Sequence, residues 1–183
     1  MHTGISVMRP SLLALWLISC IGLLQAATLE RLSLDELIDQ SSAIVRGRVT
    51  GSSATFTGSA IYTHYKVQVL QSWKGAAQGT VDVAVPGGTA NGLRQTFSGA
   101  PQLVAGKEYV LFLWTSKSGL TWITGLSQGL FDLPSNVMAV RAASSEQMLD
   151  RATGRPVHED RLEMQLRDLG AHISANVKRS QTQ

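Results

Sequence analysis

The stretch VDVAVPGGTANGLRQTFSGAP, Val81–Pro101, decides the fold class together with YVLFLW at Tyr109–Trp114. Val81, Val83 and Val85 alternate with Asp82 and Ala84, the period of a half-buried strand. Pro86 stops that strand because proline has no N–H for the ladder, and Gly87-Gly88 then admits positive φ. A loop follows, then a short strand near Leu93–Phe97, then a second stop at Gly99-Ala100-Pro101. Tyr109–Trp114 is apolar at every position, so it is expected to be central and covered on both faces.

Upstream, Ala43–Val49 alternates, with Val45, Gly47 and Val49 on one face and Arg46 and Arg48 on the other. Gly47 inside this strand predicts a bend or a close backbone approach. Gly51–Ala60 is rich in Ser, Thr and Gly and reads as a mobile loop. Ile61–Trp73 is a long strand, with Tyr65, Val67 and Val69 on one side and His64, Lys66 and Gln68 on the other. Downstream, strands at Leu120–Thr124 and Leu130–Leu133 flank a turn at Gly125–Gly129, and Val137–Val140 reads as one more. About seven short strands punctuated by Gly, Pro and Ser point to an antiparallel barrel or sandwich.

Helical pattern is confined to the two ends. Ser33 and Glu36 form a capping box, Leu32 is placed to staple against Leu37, and this helix ends near Gln40. At the C-terminus Leu162, Leu166, Leu169, Ile173 and Val177 fall on one helical stripe. Glu163 and Arg167 are spaced for an i,i+4 pair, and Pro156 suits the start of this helix.

Ser33–Leu37 followed by Ser42–Val49 resembles the opening of a family of uncharacterised exported bacterial proteins. Trp73-Lys74-Gly75, Val85–Gly88, Ser98–Pro101 with Gly106-Lys107-Glu108, and Gly125–Gly129 extend the resemblance over Leu32–Leu133. More distantly, Ala43–Val49 is similar to the first strand of netrin-like domains, tissue inhibitors of metalloproteinases among them. That resemblance implies an OB-type barrel with flanking helices and a protease-inhibitor role. Such inhibitors chelate zinc through a disulfide-tied N-terminal cysteine, a role that only Cys20 is available to inherit.

Residues 1–27 read as a signal peptide. Arg9 supplies its positive end, Ser11–Leu24 its apolar segment, and Ala26-Ala27 its cleavage site. An uncleaved N-terminal membrane anchor is one alternative. Leu17-Ile18-Ser19-Cys20 fits a lipobox and offers another, an anchor through lipid on Cys20. The barrel is expected over 28–142 and a C-terminal helical extension and tail over 143–183. Cys20 is the only cysteine, so a mature chain beginning after Ala27 has no disulfide framework, thiolate zinc site or cysteine nucleophile. Loss of Arg9 leaves 15 basic against 13 acidic residues, scattered rather than striped, which argues against nucleic acid as a partner.

Gly125–Gly129 matches the G-x-S-x-G nucleophile elbow and makes Ser127 the candidate of a serine-hydrolase alternative. Leu130–Pro134 does not read as the helix an elbow requires, so a turn is the expectation. His158 and His172 lack the i,i+4 spacing of a zinc pair, and His64 falls on a polar strand face. Asp150, His158, Glu159 and Asp160 read as a solvated helix start rather than a cation site. Gly99…Gly106-Lys107 lacks the spacing of a P-loop. The Gly87–Gly92 loop remains as the recognition candidate, with Gly87, Gly88, Arg94 and Gln95 as ligand-binding residues, and the alternative is a wide hairpin that only links two strands. The expectation is therefore an exported, non-enzymatic OB-like barrel without cofactor or metal, whose partner is a protein or another envelope component.

Overall fold

The computed structural model describes residues 29–144, 146–158 and 160–182. The expected signal peptide with Cys20, and Glu159 of the acidic group, lie outside the described residues. Among the described residues no helix is long and apolar enough to cross a membrane.

The chain is mainly β. Its N-terminal part forms β1 (Leu29–Glu30), α1 (Leu34–Gln40), β2 (Ala43–Thr57) and β3 (Ala60–Lys74). The middle forms β4 (Thr80–Pro86), β5 (Gly88–Ala90), β6 (Leu93–Gln95), β7 (Glu108–Thr115) and β8 (Thr121–Ile123). A turn of 3-10 helix at Leu126–Gly129 leads to β9 (Leu130–Ser135), β10 (Met138–Arg141), β11 (Met148–Leu149) and β12 (Pro156–Val157). The chain closes with β13 (Leu162–Gln165) and α2 (Leu166–Ser180).

The large sheet runs β13-β10-β9-β7-β2-β3-β4-β8, and β8 pairs again with β7. The pairings β7–β2–β3–β4–β8–β7 thus return to their starting strand. Within this ring only β4 and β8 are parallel, Val83 facing Thr121 and Ala84 facing Trp122. One edge of β7 is shared. Leu113–Thr115 pair with β8, while Tyr109–Leu111 pair with β9. The Leu126–Gly129 turn is where the chain passes from one partner of β7 to the other.

Two apolar clusters lie on opposite sides of β2 and β7, because successive strand side chains point to opposite faces. Val45, Val49, Tyr65, Val67, Val83, Val85, Leu111, Leu113 and Ile123 pack on one side. On the other, Ile44, Val110 and Phe112 meet Leu37 and Ile38 of α1, Leu166, Leu169 and Ile173 of α2, and Phe131. Tyr109–Leu113 are buried on both faces as their composition requires, whereas Trp114 is 41% exposed. Gly47 sits at a register shift, where an added Cβ would meet the Val67 side chain and lie 3.0 Å from the Gln68 carbonyl oxygen. The close approach expected there is present.

The Ser33–Glu36 capping box forms as expected. Glu36 N–H donates to Ser33 Oγ at 3.2 Å and Ser33 N–H donates to Glu36 Oε2 at 2.8 Å. Other expectations fail. Gly51–Ala60 is no loop: β2 runs to Thr57 and a tight turn at Gly58-Ser59 starts β3, with Thr57 facing Ala60. Its Ser and Thr side chains occupy exposed cross-strand positions, so their polarity reflects a solvated arm rather than a connection. Pro156 belongs to β12, and the helix starts at Leu166. Leu162 and Met164 alternate with Glu163 and Gln165 in β13, so the apolar stripe changes from period two to helical at Gln165. Consequently Glu163 pairs with Arg161, and Arg167 pairs with Asp168. The described residues hold thirteen strands against about seven expected, since pieces of two or three residues pair through tertiary contacts.

The segment after residue 142 builds on the same core. β11 pairs in parallel with β1, β13 pairs with β10, and α2 packs on the cluster that contains α1.

Candidate functional site

The four residues expected to bind a ligand lie at one end of the strand ring. Beyond Pro86 the chain takes positive φ at Gly87 and Gly88 and folds back as the β5–β6 hairpin. Its two-residue connection is Asn91-Gly92, with φ of 50° and 77°, the signs that a type I′ hairpin turn demands. The Asn-Gly dipeptide is the local signal for this tight turn.

Gly87, Gly88 and Gln95 are gathered here, and they tether the hairpin. Gly87 N–H donates to the Ile61 carbonyl at 2.8 Å. Thr63 Oγ1 donates to the Gly87 carbonyl at 2.7 Å. The Gln95 side-chain oxygen accepts from Ile61 N–H at 2.7 Å. A Cβ on Gly88 would crowd the Thr63 hydroxyl and lie 3.1 Å from Ala54 Cβ. The hairpin therefore presses onto the β2–β3 arm. The cavity left beneath it, beside Tyr65, Phe97 and Pro101, holds only about 150 Å³, below the range of about 300–1,000 Å³ usual for small-molecule sites. Arg94 is exposed and makes no hydrogen bond or ion pair among the described residues.

A second surface was not anticipated. Helices and β9–β10 cover the outer side of β2 and β7, while the outer side of β3, β4 and β8 carries Tyr62, His64, Lys66, Asp82, Ala84 and Trp122. Trp114 of β7 lies directly across from Trp122. Tyr62 and Trp122 meet nearly at right angles, 74°, with centroids 5.2 Å apart. Trp122 and Trp114 are nearly parallel, 23°, with centroids 6.5 Å apart. Tyr62 and Trp122 belong to strands on either side of β4, and Ala84 between them is only 2% exposed. Its small side chain lets the two rings close over the strand.

Polar groups flank this row. His64 Nδ1 and Asp82 Oδ1 are 2.9 Å apart, and Lys66 Nζ donates to the second Asp82 oxygen. Partial burial works to raise the Asp82 pKa, but the bonds from Lys66 and His64 outweigh it and hold the carboxyl below its usual value. Near Trp114 the rim is uncharged: the Thr115 and Thr121 hydroxyls are 3.0 Å apart, and those of Ser116 and Ser118 are 2.8 Å apart. Lys117 stands exposed in the intervening turn. Trp114 and Trp122 sit symmetrically about Ser116–Leu120, a hairpin signal, but their meeting with Tyr62 depends on the parallel β4–β8 pairing.

Ser127 lies in the 3-10 turn after Gly125, which adopts φ 64°, and β9 rather than a helix follows directly. Among the described residues no hydrogen bond joins its hydroxyl to a histidine or carboxylate. The histidines are dispersed. His172 Nε2 lies 2.6 Å from Asp35 Oδ1 and links α2 to α1. Asp150 accepts from Thr153 N–H at 2.8 Å and from its hydroxyl at 2.7 Å, which holds the carboxyl below its usual value. Among the described residues no three His, Cys, Asp or Glu side chains are grouped as a metal ion would need.

On β2 and β7, Arg48 and Arg46 both donate to Glu108, and Arg46 also reaches Asn136 at 3.1 Å. Hydrogen bonds from Arg48 and then Arg46 hold the Glu108 carboxyl below the usual range. No protein-family model matches the chain, and no curated protein is significantly similar to it.

Proposed function

We propose that the chain is an exported, non-enzymatic binding module on an OB-like β-barrel, and that it takes its partner on the Tyr62–Trp122–Trp114 face. The observation that carries this reading is the row itself: three large aromatics from β3, β8 and the far end of β7, where Trp114 is left exposed. Trp114 is exposed and Tyr62 and Trp122 are half-buried beside it, and an aromatic patch with a polar rim is characteristic of recognition surfaces. The OB-like barrel is supported by the pairings that run through five strands back to β7, with a single parallel pair. Export is supported by Arg9, the apolar segment and Ala26-Ala27, and places the partner among proteins or other envelope components. Gly87, Gly88 and Gln95 anchor the hairpin on Ile61 and Thr63, on the side of β3 opposite Tyr62, so Arg94 lies outside the proposed face. The Ser127 hydrolase alternative rests on the pentapeptide alone.

The test is capture from an envelope fraction by the full chain tagged at its C-terminus, with the captured component identified by mass. Trp114→Ala should lose that component and Arg94→Ala should keep most of it. Equal capture by the native chain and Trp114→Ala would sink the proposal.

A further inference from the structure

We infer that the Tyr62–Trp122–Trp114 row takes a neutral glycan chain, a reading that rests on the binding face proposed above. An aromatic ring presents a negative face, so its ligand must offer a cation or weakly positive C–H groups. A pyranose ring meets the second condition. The axial C–H bonds on one side are polarised by neighbouring oxygens, while its hydroxyls project from the edge. Such a ligand needs aromatic faces within a rim of uncharged donors and acceptors.

The row provides both parts. Trp122 and Trp114 are near-parallel at 23°, and Tyr62 stands at 74° to Trp122 as a wall. The two rings, 6.5 Å apart, stack as one unit, of which Trp114 is the exposed member. Thr115 and Thr121 bond to each other at one end, and each hydroxyl retains hydrogen-bonding capacity. At the other end His64 engages Asp82 through Nδ1, and its Nε2 has no partner among the described residues.

Charge selects among the possible occupants. Lys66 neutralises Asp82, and Lys117 is a single exposed cation in the β7–β8 turn. A phosphodiester backbone requires a track of unpaired cations, which this face lacks among the described residues. A quaternary ammonium ligand would be favoured by a free carboxylate beside the rings, and Asp82 is committed to Lys66 and His64. A neutral polyhydroxyl chain satisfies the rings without needing either.

The experiment titrates the full exported chain with cello-, chito-, laminari- and malto-hexaose and follows tryptophan emission. Four tryptophans occur in the sequence, at positions 16, 73, 114 and 122. Two of them form the row, and Trp73→Phe removes the background of the helix-packed one. A saturable change with at least one hexaose is expected, weakened about tenfold or more in Trp114→Ala and restored in part by Trp114→Phe. Unchanged melting of Trp114→Ala separates lost binding from lost folding, and Thr121→Val, which removes only a rim hydroxyl, provides a second variant. No saturable response to any of the four sugars overturns the inference, as does equal binding by the native chain and Trp114→Ala. Tighter binding of a single-stranded oligonucleotide than of every hexaose also overturns it. If the sugars fail while an identified envelope protein is captured in a Trp114-dependent way, the glycan falls and the binding face stands. If sugars fail and capture ignores Trp114, both fall.

Discussion

The Gln128 side chain holds Leu32 in place: its Oε1 accepts from Leu32 N–H at 2.7 Å, and its Nε2 donates to the Glu30 carbonyl at 2.9 Å. Gln128 is 1% exposed, so the Gly125–Gly129 pentapeptide positions the start of α1. Gln128→Leu leaves the buried Leu32 N–H without its acceptor and should cost about 1–3 kcal/mol in denaturant unfolding. Ser127→Ala, one residue away, should leave the midpoint unchanged, and the native chain should not react with a fluorophosphonate probe. Covalent labelling at Ser127 would make the protein an enzyme after all.

Gly47→Ala should destabilise by about 1–3 kcal/mol through overpacking, because the new methyl would collide with Val67 and crowd the Gln68 carbonyl. Adding Val67→Ala should recover part of that loss, a non-additivity that a double-mutant cycle measures. Strict additivity would place the strain in the backbone rather than in the side-chain collision.

Glu108 predicts an acid dependence. Its folded pKa lies below its unfolded value because Arg48 and Arg46 bond to the ionised carboxyl. The stabilisation is therefore fully present above the ordinary glutamate value of about 4.3 and is lost as pH falls through the lowered folded value. Denaturation midpoints of the native chain and Glu108→Gln should differ near neutral pH and converge in acid. A gap that persists into acid would assign the difference to packing.

At the hairpin, neighbouring residues should behave oppositely. Gln95→Ala strands the Ile61 N–H that its side chain now satisfies and should cost about 1–2 kcal/mol. Arg94→Ala touches no partner among the described residues and should shift stability by less than about 0.5 kcal/mol. Thermal melts of the two variants decide it. Equal losses would mean that Arg94 contributes to docking the hairpin.

Much of the fold was legible wherever one local rule sufficed. Ser33 and Glu36 cap α1 because the box is a four-residue device. Tyr109–Leu113 are buried on both faces because an unbroken apolar run has no side to offer water. Val45, Gly47 and Val49 share a buried face because the strand period is two. The errors came where composition was read in place of pattern. Ser and Thr disguise the second half of β2 as a loop, and Asn91-Gly92 makes a tight two-residue hairpin where a recognition loop or a wide hairpin was expected. Gly87, Gly88 and Gln95 meet at one place, but their backbone and side-chain groups are engaged with Ile61 and Thr63.

By itself the sequence determined the strand-rich class, the first helix and which side of each long strand turns inward. Those properties depend on residues a few positions apart, whose side-chain directions the backbone period dictates. Only the tertiary structure decided that β8 pairs with both β4 and β7. Only it decided that the G-x-S-x-G segment carries a buried clamp on Leu32, and that Tyr62 and Trp122 meet across Ala84. Each of these depends on which strand edge finds which partner across dozens of residues. Hydrogen-bond satisfaction and close packing of the assembled chain select that pairing, and no local spacing encodes it.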